Sequence, residues 1–306
     1  MSLWILILLL ILLYMYLMRG DTKCQETYNG IYAEMYDTVW YDKKRYKLEV
    51  DYISKNVGLK HPETLLDLGC GTGNHIKLWQ QKWSDIDVTG MDLSPDQISR
   101  ARVKNPNVHI IQGSYLDRHT WGDDKFDVIA CMYDAGQYTD ATKTLLKNVY
   151  KWLKPGGTFV FHGIDPRRLC DGCDQTASNT DLPIRVDRKG HCSVLYPGLV
   201  YSSWWSRSMF SKWVRYNETF YKMKGNEWPK DWDTSGRVGN NVPLGMRGRE
   251  NFMTNGHSLY LRTPHEIAEI GRHLGFSSVK VNPIHGIRDF TESSQGSEEY
   301  FIFFKK

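Results

Sequence analysis

The chain has no long block of lysine and arginine. Its 39 basic and 35 acidic residues leave a net charge of +4, so composition makes no case for a nucleic-acid partner and allows at most a mild attraction to anionic lipid. Cysteine is also scarce: six in 306 residues are too few for a disulfide scaffold. Two of them, Cys70 and Cys131, fall inside segments assigned below to the core, which points to a reducing compartment. Internal repeats and low-complexity tracts are missing as well, which excludes a solenoid or a disordered tail. With 41% hydrophobic and 24% charged residues, the chain can bury one good-sized core.

Charge is absent altogether from Leu3 to Met18, LWILILLLILLYMYLM. As a helix this run spans roughly 24 Å, against a hydrocarbon core of about 30 Å that Arg19 could reach by snorkelling. It has no basic region before it and no small-x-small site after it. It therefore reads as an uncleaved anchor over residues 1–20, ahead of a cleaved signal peptide or a buried helix. Arg19, Lys23, Lys43, Lys44 and Arg45 follow it, and the positive-inside rule then puts residues 21–306 in the cytosol of a single-pass membrane protein. The sequon Asn217-Glu218-Thr219 would report the opposite orientation.

Beyond the polar joint from Arg19 to Gln25, strand-like runs alternate with helical patterns. Strands are expected at Thr64–Leu68, Asp87–Asp92, Val108–Gln112, Phe126–Met132 and Gly157–His162. Helices are expected at Asn74–Lys82, Pro95–Lys104 and Ala141–Leu153. That alternation predicts an α/β fold, a doubly wound parallel sheet with helices on both faces. It stops over residues 163–258, a stretch rich in Gly, Pro, Trp and Asn with strand-like pieces such as FSKWVRYNETFYKM, which reads as an insertion or lid. A helix at TPHEIAEIGRHLGF, capped by Thr263, and strands near Ser278–Asn282 and Glu299–Lys305 complete the pattern. Aromatic residues crowd into Tyr28–Trp40 and Val200–Trp232, suggesting aromatic-lined pockets beside ordinary core.

The most informative run is Leu65–His75, LLDLGCGTGNH. A strand ends at Asp67, and glycines at 69, 71 and 73 let the backbone turn and approach a ligand closely. Asp92 closes the next strand, VTGMDLS, where its carboxylate can accept hydrogen bonds from a ribose diol at the switch point of the sheet. The spacing is G-x-G-x-G rather than the G-x-G-x-x-G that suits a pyrophosphate, which favours a ligand without phosphate. Here DLGCGTG followed by MDLS resembles motif I and the acidic loop of class I S-adenosylmethionine-dependent methyltransferases. LKPGG at Leu153–Gly157 resembles the segment entering their fifth strand, and order and spacing fit from Tyr32 to Lys305.

That resemblance, to the small-molecule subgroup, implies a Rossmann-like seven-stranded sheet with an antiparallel last strand, and S-adenosyl-L-methionine as cofactor. Asp67 would orient the loop and the methionine end, with Gly69, Cys70, Gly71 and Gly73 giving close backbone. Asp92 and Leu93 would meet the ribose. IYAEMYDTVW resembles the aromatic N-terminal helix from which a Tyr, here Tyr36, closes over the cofactor. Ser114 and Tyr115 follow Gly113 where many relatives have Gly-Asp, so the usual adenine carboxylate is missing, with Asp117 as a substitute.

Methyl transfer from a sulfonium is an in-line displacement in which holding the nucleophile aligned supplies much of the rate. CMYDAGQYTD resembles the Tyr/Phe-Asp-Ser-x-Asn-Tyr segment of small-molecule enzymes: Asp134 and Tyr138 match, and Gln137 replaces Asn. The Asn-Pro-Pro-Tyr signature of base and amide methylation is missing. The expected acceptor is thus a small or lipid-like molecule with an oxygen or amine nucleophile, contacted by Tyr133, Asp134, Tyr138 and His162. His162, at the end of FVFH, is a general-base candidate beside the alternative of a structural histidine. Arg262 could steer an anionic substrate or bridge to the fold. Cys170, Cys173, His191 and Cys192 begin like a zinc site, but their adjacent second pair argues for no metal. A tethered cofactor-binding scaffold without turnover, and a nucleotide-linked oxidoreductase, are the competing readings.

Overall fold

A computed structural model of the chain describes residues 28–167, 169, 184–186, 192–196, 199–207, 211–222, 251–284 and 299–306. Strand β1, Thr64–Leu68, lies at the centre of a seven-stranded sheet. Leu65, Leu66 and Leu68 are all fully buried, as expected of a parallel strand covered on both faces. It pairs in parallel with β2, Asp87–Asp92, and β2 with β3, His109–Gln112. On the other flank β1 pairs with β4, Phe126–Cys131, and β4 with β5, Leu153–Ile164. The antiparallel β12, Glu299–Lys305, then separates β5 from β11, Ser278–Pro283.

Helices α1 (Ile31–Trp40), α2 (Lys43–Asn56), α3 (Asn74–Lys82), α4 (Pro95–Lys104), α5 (Thr142–Trp152) and α6 (Pro264–His273) complete this layer. Val50, Ile53, Ile76, Trp79, Ile98 and Ala101 of α2 to α4 pack in one core. Leu145, Leu146, Val149, Trp152 and Ile267 of α5 and α6 fill the core of the other face. The helix starts follow capping chemistry: Asp42 accepts from Lys44 N and Arg45 N, Ser94 from Gln97 N with Pro95 behind it, and Thr263 forms a reciprocal capping box with Glu266.

Between β5 and α6 the chain builds a second, antiparallel sheet. It comprises β6 (Ile184–Val186), β7 (Cys192–Tyr196), β8 (Leu199–Arg207), β9 (Trp213–Lys222) and β10 (Asn251–Tyr260), in the order β10-β9-β8-β7-β6. The inward phase of β9, Val214, Tyr216, Glu218 and Phe220, is buried. Tyr201 and Phe220 pack on Tyr32 of α1, and Trp205, Tyr216 and Leu259 pack near Trp40 and Tyr138. Helix α1 is thereby held between the second sheet and the glycine loop. On the loop side, Asp37 accepts from Thr72 Oγ1 at 2.6 Å and Asn74 Nδ2 at 2.9 Å, and also from Lys104.

Where α2, α3 and β12 meet lies a buried ionic cluster. Arg45 donates to Glu49 at 3.0 Å and to Glu299 at 2.6 Å, and His75 meets Glu49 at 3.0 Å. Burial works against ionisation of Glu299, but Arg45 and His162 overcome it and hold this carboxyl well below the usual range. Breaking one side of such a pair leaves an uncompensated buried charge, at about 3–5 kcal/mol.

The expected membrane location is corrected. A span needs about 20 consecutive apolar residues. Among the described residues no helix is long and apolar enough to cross a membrane, and the longest, α2, has 14 residues and begins KKRYK. The run Leu3–Met18 lies outside the described residues. The single-pass localisation, its cytosolic orientation and the membrane partner are withdrawn. Asn217 of the sequon sits in mid-β9, paired with Gly256 and Trp204, and Thr219 is buried.

Candidate active site

Strands β1, β2 and β3 wind outward in one direction, and β4 returns on the far side of β1. The crevice outside the carboxyl ends at that reversal is where an open α/β sheet receives its ligand. A cavity of about 250 Å³ lies there. The turn after β1 supplies Gly69 and Gly71, β2 and the residue after it supply Met91, Asp92 and Leu93, and the turn after β3 supplies Gly113 to Leu116. The segment after β4 adds Met132, Tyr133, Ala135, Tyr138 and Thr139, while Tyr28 and Tyr36 come from the start of the described chain and from α1.

Gly69 and Gly71 have φ of +69° and +54°, a left-handed conformation that L side chains rarely adopt. Gly69 N and Cys70 N donate to the Met91 carbonyl at 2.7 and 3.1 Å. Gly71 N donates to Asp92 Oδ2 at 2.8 Å, and Ser94 N to Asp92 Oδ1 at 2.9 Å. Asp92 thus clamps the first two turns together, and its carboxylate oxygens keep acceptor capacity for a ligand's hydroxyls. Burial raises the Asp92 carboxyl, against the Ser94 and Gly71 amides that favour its charge.

Nine of the fourteen site residues expected from sequence stand on the cavity wall: Tyr36, Gly69, Gly71, Asp92, Leu93, Ser114, Tyr115, Tyr133 and Tyr138. The other five are placed differently. Asp67 is buried in β1 with Oδ2 lacking a hydrogen-bond partner, and burial pushes it up to about 6. Cys70 is buried, its thiol directed to the Gly71 carbonyl at 3.9 Å. Gly73, at φ +78°, is the N-cap of α3. Asp134 shares an unusual turn with Tyr133, the two at φ +59° and +47°. Such a pair costs of order 1–3 kcal/mol per residue and commonly marks functional turns.

His162 lies behind Tyr133, fully buried in β5. Its Nδ1 accepts from Tyr133 N at 2.9 Å, and its Nε2 faces Glu299 at 3.9 Å. His162 is not among the residues on the cavity wall; its imidazole supports the turn that presents Tyr133, the structural alternative to a base. Arg262 turns to Thr142 and lies over the Tyr260 ring. Asp117 caps a short turn at His119 N. Of the considered zinc group, Cys170, Cys173 and His191 lie outside the described residues.

Sequence reasoning missed Tyr28, Gln97 and Met132 on the wall, and above all a buried acid and histidine behind it. Tyr138 Oη lies 2.5 Å from Tyr28 Oη and 3.1 Å from His257 Nδ1. His257 Nε2 meets Glu218 Oε2, and Glu218 Oε1 accepts from Tyr201 at 2.7 Å and Tyr32 at 3.1 Å. Glu218 and His257 are both buried. A signal for them exists: each interrupts the apolar phase of a period-two strand, Glu218 between Tyr216 and Phe220, His257 two before Leu259. Burial first, then neighbouring carboxylates, raise the Tyr32 and Tyr36 phenols, so both stay protonated donors.

Residues 65–157 match the family described as a methyltransferase domain. The dTDP-3-amino-3,4,6-trideoxy-alpha-D-glucopyranose N,N-dimethyltransferase of Streptomyces venezuelae is 30% identical over 139 residues, 44% of this chain and 57% of that one. The dTDP-3-amino-3,6-dideoxy-alpha-D-glucopyranose N,N-dimethyltransferase of Streptomyces fradiae is 32% identical over 114 residues, 36% of this chain and 43% of that one. The chain thus spans about half the length of these curated relatives. The crystal structure of Streptomyces venezuelae DesVI superposes with a TM-score of 0.63 at 19% identity, covering 90% of this chain and 99% of that one. S-adenosylmethionine-bound CalS10, an amino pentose methyltransferase from Micromonospora echinaspora, superposes at 0.61 and 18% identity, covering 91% and 98%. At such identities the superpositions establish a shared fold. The chain is thus similar to a methyltransferase domain in sequence over residues 65–157, and shares the fold of these structures over most of its length.

Proposed function

We propose that the whole chain is an S-adenosylmethionine-dependent methyltransferase acting on a nitrogen of a small-molecule acceptor. The carrying observation is the cavity at the carboxyl ends of β1 to β4, with the Gly69 and Gly71 backbone on its wall and Asp92 clamped between two turns. The residues fit the cofactor. A Cβ at Gly71 would meet nothing nearer than 3.9 Å, Asp92 suits a ribose diol, and Leu93, Gly113, Ser114, Tyr115 and Leu116 suit an adenine ring. The donor, once bound, supplies an activated methyl group on a sulfonium. The chain's own residues need to hold the acceptor in line and exclude water, which the tyrosines at 28, 36, 133 and 138 do as a wall. Nitrogen is favoured over oxygen because the relatives named above are amino-sugar N,N-dimethyltransferases.

Calorimetry tests the cofactor directly. The wild-type protein is expected to bind S-adenosylhomocysteine, and Asp92→Ala to weaken it by about 1.5–3 kcal/mol through lost charge-assisted bonds. Labelled methyl transfer to a panel of amino sugars, other amines and hydroxyl acceptors then reads the nucleophile. A folded wild type that binds no product refutes the assignment; binding without turnover on any acceptor marks a scaffold.

A further inference from the structure

We infer that Glu218, His257 and Tyr138 form a proton relay that opens on the cavity, and that the acceptor it serves is an amine presented as its ammonium ion. This rests on the methyltransferase reading above. An ammonium has no lone pair to attack a methyl group, so an enzyme that takes it from neutral solution needs a proton acceptor within hydrogen-bond reach of the nitrogen. Tyr138 is on the cavity wall. Its hydroxyl is 3.1 Å from His257 Nδ1, and Glu218 Oε2 faces His257 Nε2. The carboxylate fixes the tautomer: Nε2 carries the hydrogen and donates to Glu218, which leaves Nδ1 as the acceptor for the Tyr138 hydroxyl.

Burying a carboxylate and an imidazole in a sheet is expensive unless every polar atom is matched. Here the matching is thorough. Glu218 receives Tyr201 and Tyr32 on one oxygen and His257 on the other, with Asn255 Nδ2 at 3.4 Å. The groups packed around His257 are Tyr28 and Tyr32 at the α1 side, Tyr138 after β4, and Tyr216, Glu218 and Asn255 of the second sheet. Among the described residues in these contacts, Glu218 is the one carboxylate. The seven-stranded sheet does not use this cluster. Its hydrogen-bonded path to the cavity among the described residues runs through Tyr138, whose hydroxyl also meets that of Tyr28 on the same wall.

In the step itself, the ammonium N–H passes its proton to the Tyr138 oxygen while the Tyr138 proton moves to His257 Nδ1. This forms an imidazolium paired with Glu218 and leaves the tyrosine neutral. The freed lone pair forms the new nitrogen–carbon bond as the methyl–sulfur bond of the donor breaks. Its electron pair stays on sulfur as a neutral thioether. The product leaves as a methylated ammonium, and the imidazolium returns its proton to water. Tyr138 is the catalytic residue; His257 and Glu218 act through it as positioning residues.

The test compares wild type with His257→Asn, Glu218→Gln and Tyr138→Phe, using dTDP-3-amino-3,6-dideoxy-alpha-D-glucopyranose as probe acceptor and S-adenosylhomocysteine as probe of the donor site. Retained product binding with a loss of about 100-fold in kcat supports the relay. So does a pH profile in His257→Asn that climbs to the acceptor's own ammonium pKa, where wild type levels off earlier. Tyr138→Phe removes a single oxygen and guards against a misfolded His257 variant. Independently of turnover, nitrogen NMR of labelled wild type should show His257 protonated at Nε2. Wild-type kcat and pH profile in all three variants overturn the relay while leaving the methyltransferase standing, as does His257 protonated at Nδ1. A wild type that methylates hydroxyl acceptors but no amine also overturns it.

Discussion

Two substitutions in the glycine turn separate the roles of its backbone. Gly69 and Gly71 both have positive φ, so an alanine at either pays the left-handed penalty of about 1–2 kcal/mol. The surroundings differ. A Cβ on Gly69 would stand 2.5 Å from the Ala135 Cβ, closer than van der Waals contact allows, and Ala135 follows the strained Tyr133–Asp134 turn that has little room to yield. Overpacking of that kind adds about 1–3 kcal/mol, giving about 2–5 kcal/mol in all for Gly69→Ala. A Cβ on Gly71 meets nothing nearer than Gln97 Oε1 and Tyr36 Cε1, both at 3.9 Å and both on the cavity wall. Gly71→Ala should therefore lose only the backbone penalty, but its methyl group occupies space the ligand needs. Urea unfolding without ligand is expected to rank the variants wild type, Gly71→Ala, Gly69→Ala in falling stability. Calorimetry with S-adenosylhomocysteine should show Gly71→Ala at least tenfold weaker while still folded. Equal unfolding midpoints for the two variants, or wild-type affinity in folded Gly71→Ala, would refute the reasoning.

Two further outcomes follow from the buried carboxyls. Glu299→Gln leaves Arg45 with Glu49 as its remaining carboxylate and should cost about 3–5 kcal/mol at pH 7. Glu299 is held below its unfolded value, so its contribution is present above the ordinary glutamate pKa and is lost as pH falls through the folded value. Acid titration of stability should be shallower in the variant, and a parallel titration would exclude the pair as its cause. Asp67 has the opposite sign: its folded pKa of about 6 lies above the ordinary aspartate value. The stability it contributes is full below about 3.9 and lost as pH rises through 6, about 3 kcal/mol across the two units. Asp67→Asn should therefore be more stable than wild type at pH 8 and level with it near pH 4; a pH-independent difference would contradict this.

The core strands were legible because period and punctuation are local. TLLDL and VTGMD are apolar runs with an acid at or next to their last position, and PDQISRARVK has a Ser cap and a Pro at its start; the structure gives Thr64–Leu68, Asp87–Asp92 and Pro95–Lys104, the expected bounds. Strand β5 was underread as Gly157–His162 because its first residues pair across a register shift, Leu153 with Phe126, which the chain's own pattern does not announce. On the cavity wall, the glycine turn and Asp92 were readable since their chemistry sits within a few residues of the strand ends that present it.

Sequence by itself determined the doubly wound sheet and its glycine turn, since these follow from hydrophobic periodicity and from backbone angles that glycine adopts without strain. It could not decide between two histidines. His162 and His257 each end or interrupt an apolar strand, and local pattern treats them alike. Only the folded chain puts His162 behind Tyr133 against Glu299, and brings His257 from β10, Glu218 from β9 and Tyr138 from beyond β4 into one line at the cavity. Those three residues are separated by up to 119 positions in the chain, and what joins them is strand register and the packing of the second sheet on α1. Such long-range contacts leave no periodic trace in the sequence.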